Sequence, residues 1–312
     1  MLAATSLVAQ PTKRPVDYVN PMIGTDGMGH TFPGACAPFG IVQLSPDTDT
    51  IPHNINGTYQ KKVYEYCAGY QYHDTTIVGF SHTHFSGTGH SDLGDILIMP
   101  TTGELKLNPG TEEQPESGYR SRFSHDREKS MPGYYEVMLD DYNVKAQLTA
   151  TQRVGVHKYT FPKEGDGRII LDLNHGIYNY DGKTLWASIR VESPTLITGY
   201  RITNGWARTN YTYFAIQFSQ PIKNYGYKDM QKILYNGFWR KFPVNKNFPE
   251  MAGRKVVSYF EFDTEANPEV EVKVALSATS TEGAVKNLMA EADGKSFETI
   301  AAEASKAWND QL

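Results

Sequence analysis

The chain has 312 residues, with 30 Lys and Arg against 35 Asp and Glu, and therefore a formal net charge of −5 at pH 7. This mild acidity without a basic stripe argues against a nucleic-acid-binding protein. No apolar run approaches the roughly 20 residues of a membrane span, and two cysteines cannot make a disulfide-stapled scaffold. The 20 Tyr, 14 Phe and 27 Gly predict a turn-rich β protein with a polar aromatic cleft, which suits sugar binding.

The first ten residues resemble the end of a secretory signal peptide. Residues 2–9 are small and apolar, with an A-x-A-like site near Val8, although a basic leading segment is missing. We therefore interpret residues 1–15 as the remnant of a signal peptide or as a disordered tail.

The first hundred residues differ in composition from the rest of the chain. Residues 20–46 and 64–100 are rich in Gly and His, and six of the nine histidines lie within the first 100 residues. Rigid loops of this composition are how a scaffold presents a functional site.

The densest group of polar side chains spans residues 79–95, GFSHTHFSGTGHSDLGD. His82 and His84 are two apart, so they share a face of a strand, and with His90 or Asp92 they could bind zinc. The alternatives are a structural strand end with hydrogen-bonded imidazoles, or ligand contact through imidazole and hydroxyl groups. Asp92 and Asp95 invite comparison with the paired carboxylates of glycosidases, although a spacing of three in a glycine-rich loop is weak evidence.

Aromatic rings and one cysteine accompany these loops. The rings suit the apolar face of a pyranose, while an equally ordinary explanation is sandwich core. Cys67 is interpreted as a nucleophile without a marked base or, more simply, as a small buried thiol, and the sequence leaves a Cys36–Cys67 disulfide open. The rings are Tyr64, Tyr66, Tyr70, Tyr72 and Phe80.

Most of the remaining chain has the pattern of short strands separated by turn dipeptides, which predicts a sandwich or barrel. Helical periodicity appears only at the end, over residues 284–291 and 296–312, with Ser296 as the expected N-cap. The apolar stripe of the second helix either folds back on this domain or packs on a further one. The predicted strands cover residues 134–139, 144–148, 154–161, 168–173, 185–191, 196–202, 211–218, 256–262 and 271–276.

Several long blocks, in order, closely resemble the N-terminal region of glycoside hydrolase family 92. They include DYVNPMIGT at 17–25, GHTFPGA at 29–35, PFGIVQLSPD at 38–47 and RVGVHKYTFP at 153–162, and the similarity runs from about Asp17 to Leu312. Members of this family are secreted or surface exo-α-mannosidases, mostly specific for α-1,2 linkages, which invert the anomeric centre and need calcium.

The resemblance also implies an architecture. An N-terminal β-sandwich of galactose-mutarotase-like type is followed by a short helical linker and an (α/α)6 barrel, and the barrel supplies a Glu acid, an Asp base and most calcium ligands. This chain lacks the barrel, so its catalytic residues cannot be named. It also departs from the family at Cys36, where Thr or Val is usual, and at Tyr64, where Trp is frequent, whereas Cys67 and Gly69-Tyr70 match the family pattern.

We therefore predict a mainly β protein, a large antiparallel β-sandwich over residues 16–280 with a two-helix linker at 281–312. It would be the substrate-recognition lobe of a secreted, periplasmic or surface α-mannosidase acting on mannose-containing oligosaccharides. Calcium would be bound mainly by the missing domain, with no metal ligand assigned in this chain, and the fragment alone would be inactive. The predicted substrate-binding residues are His30, Thr31, Tyr64, Cys67, His82, His84, Ser86 and Thr88.

Two other functions remain open at this point. One is a free-standing sugar-binding module that never had a barrel. The other, the weakest, is a zinc hydrolase that uses His82, His84 and His90.

Overall fold

The computed structural model describes residues 13–48, 51–87, 92–164, 166–229 and 247–312. The interpretation of residues 1–12 and the assignments of Thr88 and His90 fall outside these ranges. Within them, none of the helices is long and apolar enough to cross a membrane.

Twenty strands and two α-helices make up the regular structure of the described residues, and four 3₁₀ turns lie at Pro15–Tyr18, Lys61–Tyr66, Pro115–Ser117 and His125–Arg127. The helices are α1 (Thr281–Glu291) and α2 (Phe297–Gln311). In chain order the strands are β1 (Ala35–Cys36), β2 (Gln43–Asp47), β3 (Asn54–Ile55), β4 (Thr58–Tyr59), β5 (Thr76–Ile77), β6 (Gly79–Ser81), β7 (Leu97–Thr101), β8 (Ser121–Arg122), β9 (Glu128–Met131), β10 (Tyr134–Leu139), β11 (Val144–Ala150), β12 (Val154–Thr160), β13 (Arg168–Asp172), β14 (Thr184–Ser193), β15 (Leu196–Thr203), β16 (Asn210–Phe218), β17 (Asn224–Asp229), β18 (Glu250–Gly253), β19 (Val256–Glu261) and β20 (Glu269–Ser277).

Two large antiparallel sheets form a β-sandwich. One has seven strands in the order β1-β2-β6-β7-β13-β19-β17, and the other has nine in the order β18-β14-β15-β16-β20-β12-β11-β10-β9. Two further pairs, β3-β4 and β5-β8, stand apart from these sheets. The predicted fold class, a mainly β protein built on a large antiparallel sandwich, is confirmed.

The core lies between the two sheets, and the strand patterns explain why. In β10, Tyr135, Val137 and Leu139 are buried while the residues between them are half-buried, as expected for one covered face. Every residue of β13 is buried, so this central strand is covered on both faces. Ring contacts join the sheets, for example Phe218 with Phe260 at a centroid distance of 5.6 Å.

The two helices pack on the outer face of the nine-stranded sheet. Leu288, Phe297 and Ile300 are buried against small and branched residues of β12, β16 and β20, chiefly Val154, Val156, Ala215 and Ala275. Each helix begins at a serine whose hydroxyl accepts a backbone N–H: Ser280 from Gly283, and Ser296 from Thr299. The predicted N-cap at Ser296 is confirmed.

The glycine-rich first hundred residues supply β1, β2, β6 and most of β7 of the seven-stranded sheet, with β1 at its edge, and the loops between them. Their regular segments are short, because the chain turns often and many backbone groups are satisfied within turns. The residues predicted to form the site therefore lie mostly on loops that the sandwich edge supports.

Candidate functional site

His30, Thr31, Tyr64 and Ser86 are brought to one wall of loops. The His30 and Tyr64 rings meet edge to face with centroids 5.0 Å apart, and the His30 carbonyl accepts the Gly87 N–H at 2.7 Å. Thr31 donates its hydroxyl to the Ile23 carbonyl at 2.9 Å. Tyr64 keeps 38% of its surface exposed, and Ser86 is also exposed.

His30 has two features that distinguish it from an ordinary packed histidine. Its φ of +50° lies in the left-handed region that residues other than glycine rarely adopt. Its Nε2 is buried and has no hydrogen-bond partner among the described residues. Strained backbone and an unsatisfied polar atom are typical of a site that completes its contacts with a ligand or another surface.

Cys67 lies beneath this wall rather than on it. The thiol is buried, and its Sγ is 3.6 Å from the Tyr178 hydroxyl. Burial raises the pKa of the Cys67 thiol, which leaves little thiolate at neutral pH. The geometry favours the small buried thiol over the nucleophile, and Cys36 and Cys67 are both free cysteines in the structure.

His82 is part of a buried chain of hydrogen bonds between the sheets. Tyr159 donates to Nδ1 of His157 (2.7 Å), the two histidines join through their Nε2 atoms (2.9 Å), and Nδ1 of His82 donates to the Ile96 carbonyl (2.6 Å). Burial lowers the pKa of His82 to about 3 and that of His157 well below its ordinary value, so both rings are neutral.

His84 points to a different group of residues, centred on Asp47. Its Nδ1 donates to the Gln43 carbonyl at 2.7 Å, and its Nε2 donates to Oδ1 of Asp47 at 2.7 Å. The second carboxylate oxygen of Asp47 accepts from Nε2 of His175 at 2.8 Å. Burial alone would raise the pKa of Asp47, but the charge of His84 and the hydrogen bonds from His175 and His84 lower it well below its ordinary range.

Asp92 and Asp95 do not act as a pair. Asp92 accepts the backbone N–H groups of Trp206 and Ala207 at 3.0 and 3.2 Å, which fixes that loop. Asp95 accepts the Thr83 hydroxyl at 2.8 Å and faces the buried guanidinium of Arg201 at 3.3 Å. Each carboxylate is thus occupied by its own structural partners.

His82 and His84 do not converge on a metal either. Nε2 of His82 is held by His157 and Nε2 of His84 by Asp47, and the structure finds no group of three potential ligands within the ranges it describes. The nearby carboxylates of Asp47 and Asp95 do not fit calcium, which prefers six to eight oxygen ligands, because they already face His84, His175, Thr83 and Arg201.

Sequence reasoning missed three residues that organise the site: Asp47, His157 and His175. They are separated from their partners by 37, 75 and 128 positions along the chain. Asp47 falls in one of the blocks that carry the family resemblance, but nothing in its neighbourhood predicts a bond to two histidines. Only the tertiary structure brings these residues together.

Comparison with known proteins adds to this geometry. The family model of the glycosyl hydrolase family 92 N-terminal domain matches residues 18–277, most of the chain. The chain belongs to glycosyl hydrolase family 92. A family GH92 α-mannosidase from Bacteroides thetaiotaomicron, solved in complex with mannoimidazole, is 40% identical with a TM-score of 0.83, over 96% of this chain and 37% of that chain.

Two further relatives are similar over nearly the whole chain. A GH92 inverting mannosidase from the same bacterium is 26% identical with a TM-score of 0.72, over 97% of this chain and 36% of that chain. An uncharacterized secreted glycosidase from Arthroderma benhamiae is 25% identical, over 95% of this chain and 37% of the relative. The chain thus spans little more than a third of the length of these relatives.

Proposed function

We propose that this chain is the substrate-recognition lobe of an inverting exo-α-mannosidase that cleaves α-1,2-linked mannose from glycans outside the cytoplasm. The observation that carries the proposal is the 40% identity to a family 92 α-mannosidase over nearly the whole chain. The wall formed by His30, Thr31, Tyr64 and Ser86 supports it, because an exposed ring beside an unpaired imidazole nitrogen and two hydroxyl groups suits a pyranose.

Catalysis would come from the rest of a longer protein. An inverting glycosidase needs an acid and a base on carboxyls about 6.5–9.5 Å apart across the scissile bond. Around the wall, the carboxylates of Asp47, Asp92 and Asp95 are committed to histidines, backbone amides and Arg201. We therefore place the acid, the base and the calcium ion in a further domain.

A docking surface for that domain lies where α2 ends. A cavity of about 290 Å³ is lined mainly by apolar side chains, among them Ile23, Phe32, Trp308 and Leu312. Thr31 and Ser86 also line it, so this cavity adjoins the proposed sugar wall. A second domain that covers this surface would lie next to Thr31 and Ser86 of the wall.

The test is hydrolysis of α-1,2-mannobiose by this chain, with calcium and then with a chelator and zinc. We expect no turnover in either condition. Turnover with calcium would contradict the placement of the acid and base in another domain, and turnover with zinc alone would favour the histidine-based hydrolase.

Binding separates the lobe from a self-sufficient sugar-binding module. A half-site should bind methyl α-mannoside with a dissociation constant weaker than about 1 mM, equivalent to about −4 kcal/mol. Tyr64→Ala should weaken that binding further, measured by NMR titration. A dissociation constant far below 1 mM would favour the module instead.

A further inference from the structure

A cluster of four rings lies beside the turn that carries Tyr64 and is separate from the wall. It consists of His53, Tyr59, Tyr178 and Tyr180, which we call the outer ring cluster. The His53 ring lies 5.0 Å from that of Tyr59, 5.4 Å from Tyr178 and 5.5 Å from Tyr180. Tyr178 is buried, whereas Tyr59 remains 44% exposed.

The cluster is held in place by backbone as well as by ring contacts. Tyr59 sits on the β3-β4 hairpin, whose turn residues Asn56 and Gly57 both have positive φ, as a tight two-residue turn requires. The Gln60 N–H donates to the His53 carbonyl at 3.0 Å, closing the base of the hairpin. On the far side, the Tyr180 hydroxyl donates to the Asn204 carbonyl at 2.5 Å.

The hairpin contributes to neither large sheet, so the sandwich does not need it. An isolated two-stranded hairpin is marginally stable in water, and here ring contacts and backbone hydrogen bonds together hold it. The consequence of this arrangement is a preformed aromatic surface with a largely open tyrosine. The imidazole nitrogens of His53 have no hydrogen-bond partner within the ranges that the structure describes.

The outer ring cluster packs against the segment that carries Tyr64. The Tyr178 hydroxyl touches both Tyr59 (3.3 Å) and the Cys67 thiol (3.6 Å). Val63, Cys67 and Tyr178 form one small buried cluster, and Val63 precedes Tyr64 on the same 3₁₀ turn. These buried contacts tie the segments that carry Tyr59 and Tyr64 into one packed unit, so we expect one oligosaccharide to reach both exposed rings.

We propose that the outer ring cluster is an additional subsite that binds a sugar unit beyond the one held at Tyr64. The inference rests on the proposed function and deepens it, because it makes the protein selective for oligosaccharides over short mannosides. A pyranose would lay its C–H face on the Tyr59 ring, and the His53 imidazole and Tyr59 hydroxyl would hydrogen-bond its hydroxyls.

The experiment compares methyl α-mannoside with α-1,2-linked mannotriose by NMR titration of the whole chain. We expect the trisaccharide to bind about fivefold more tightly than methyl α-mannoside, because it makes one additional sugar–aromatic contact. Tyr59→Ala should bring that ratio close to one without changing the affinity for the monosaccharide. Tyr211→Ala is the matched control, since Tyr211 is also 44% exposed and its ring stacks on Tyr213.

A second measurement needs no variant and covers the case in which Tyr59→Ala does not fold. The backbone amides of residues 53–60 should shift on addition of the trisaccharide and not of the monosaccharide. The subsite is overturned if Tyr59→Ala still binds the trisaccharide more tightly than the monosaccharide by the same ratio. It is also overturned if the amides of residues 53–60 do not shift. In both cases, binding that depends on Tyr64 would leave the proposed function intact. Absence of binding by either mannoside overturns both.

Discussion

Gly69 shows how one residue without a side chain permits the buried network at the site. Its φ is +84°, and a Cβ there would lie 2.1 Å from Oδ1 of Asp47 and 2.9 Å from Nε2 of His84. Asp47 cannot move aside, because its two oxygens accept from His84 and His175. The loop that follows Tyr64 and Cys67 can approach the carboxylate only because residue 69 is glycine.

This geometry predicts that Gly69→Ala is much more damaging than Gly57→Ala. Gly57 has nearly the same φ, +83°, but a Cβ at this residue would meet no described atom within 4 Å. Gly57→Ala should therefore cost only the left-handed backbone strain, about 1–2 kcal/mol. Gly69→Ala adds the disruption of a buried charged pair and should cost at least about 3 kcal/mol in the free energy of unfolding. Equal losses in chemical denaturation would refute the steric argument.

The His82–His157 pair predicts a pH dependence of stability. Burial lowers the pKa of both rings, to about 3 for His82, whereas an unfolded histidine titrates near pH 6.5. Below about pH 6.5 the unfolded chain therefore binds more protons than the folded chain. The free energy of unfolding should fall as the pH drops towards 3, by up to about 1.4 kcal/mol per pH unit for each histidine.

Nitrogen NMR of the imidazoles checks the cause directly. Both rings should remain neutral at pH 5 in the folded chain, while the same histidines in urea titrate near pH 6.5. Protonation of His82 or His157 above pH 5 in the folded protein would show that the buried hydrogen-bond chain is not as the structure describes.

At the scale of elements, the structure shows where the apolar stripe of α2 packs, which the sequence left open between this domain and a further one. Phe297, Ile300 and Ala304 are buried against the nine-stranded sheet, so the first turns do fold back on this domain. Near its end, Trp308 is half-buried and donates its indole N–H to the Cys36 carbonyl at 2.6 Å, while Leu312 is 58% exposed. The apolar stripe of α2 thus packs on this domain along its first turns, and its last residues, Trp308 and Leu312, line the apolar cavity.

The docking of α2 gives a stability prediction. Ile300 is fully buried between the helix and the sheet, so Ile300→Ala should lower the free energy of unfolding by about 2–4 kcal/mol. Glu303→Ala on the exposed side removes only a surface ion pair with Lys295 and should cost less than about 1 kcal/mol. A similar small loss for both would mean that α2 is not anchored to the sheet in solution.

At the scale of the whole molecule, the sandwich acts as a support that collects loops from distant parts of the chain. The wall and the outer ring cluster draw on residues 23–31, 53–67, 84–87 and 178–180. These segments meet because the strands between them pair within one sheet or pack across the core. The proposed enzyme would use this support by closing a second domain over the same face.

The sequence by itself predicted β10–β16, β19 and β20, the two helices and the N-cap at Ser296, but not the other eleven strands that the structure describes, and family blocks pointed to the correct family. Hydrophobic periodicity and capping are local properties, so a single chain displays them directly. It also placed His30, Thr31, Tyr64 and Ser86 together on loops. Their binding roles stay predictions, as do those of Cys67, His82 and His84, which the structure places beneath the surface.

The directions of the side chains were decided only by the tertiary structure. His82 and His84 look equivalent in the sequence, yet one ring turns to His157 and the other to Asp47. Likewise, Asp92 accepts the backbone N–H of Trp206, whereas Asp95 faces the guanidinium of Arg201. Local propensity determines which segments are strands and helices. A buried polar group, in contrast, pairs with the complementary group that the packed sheets bring within hydrogen-bonding distance. Which group that is depends on how the whole chain folds.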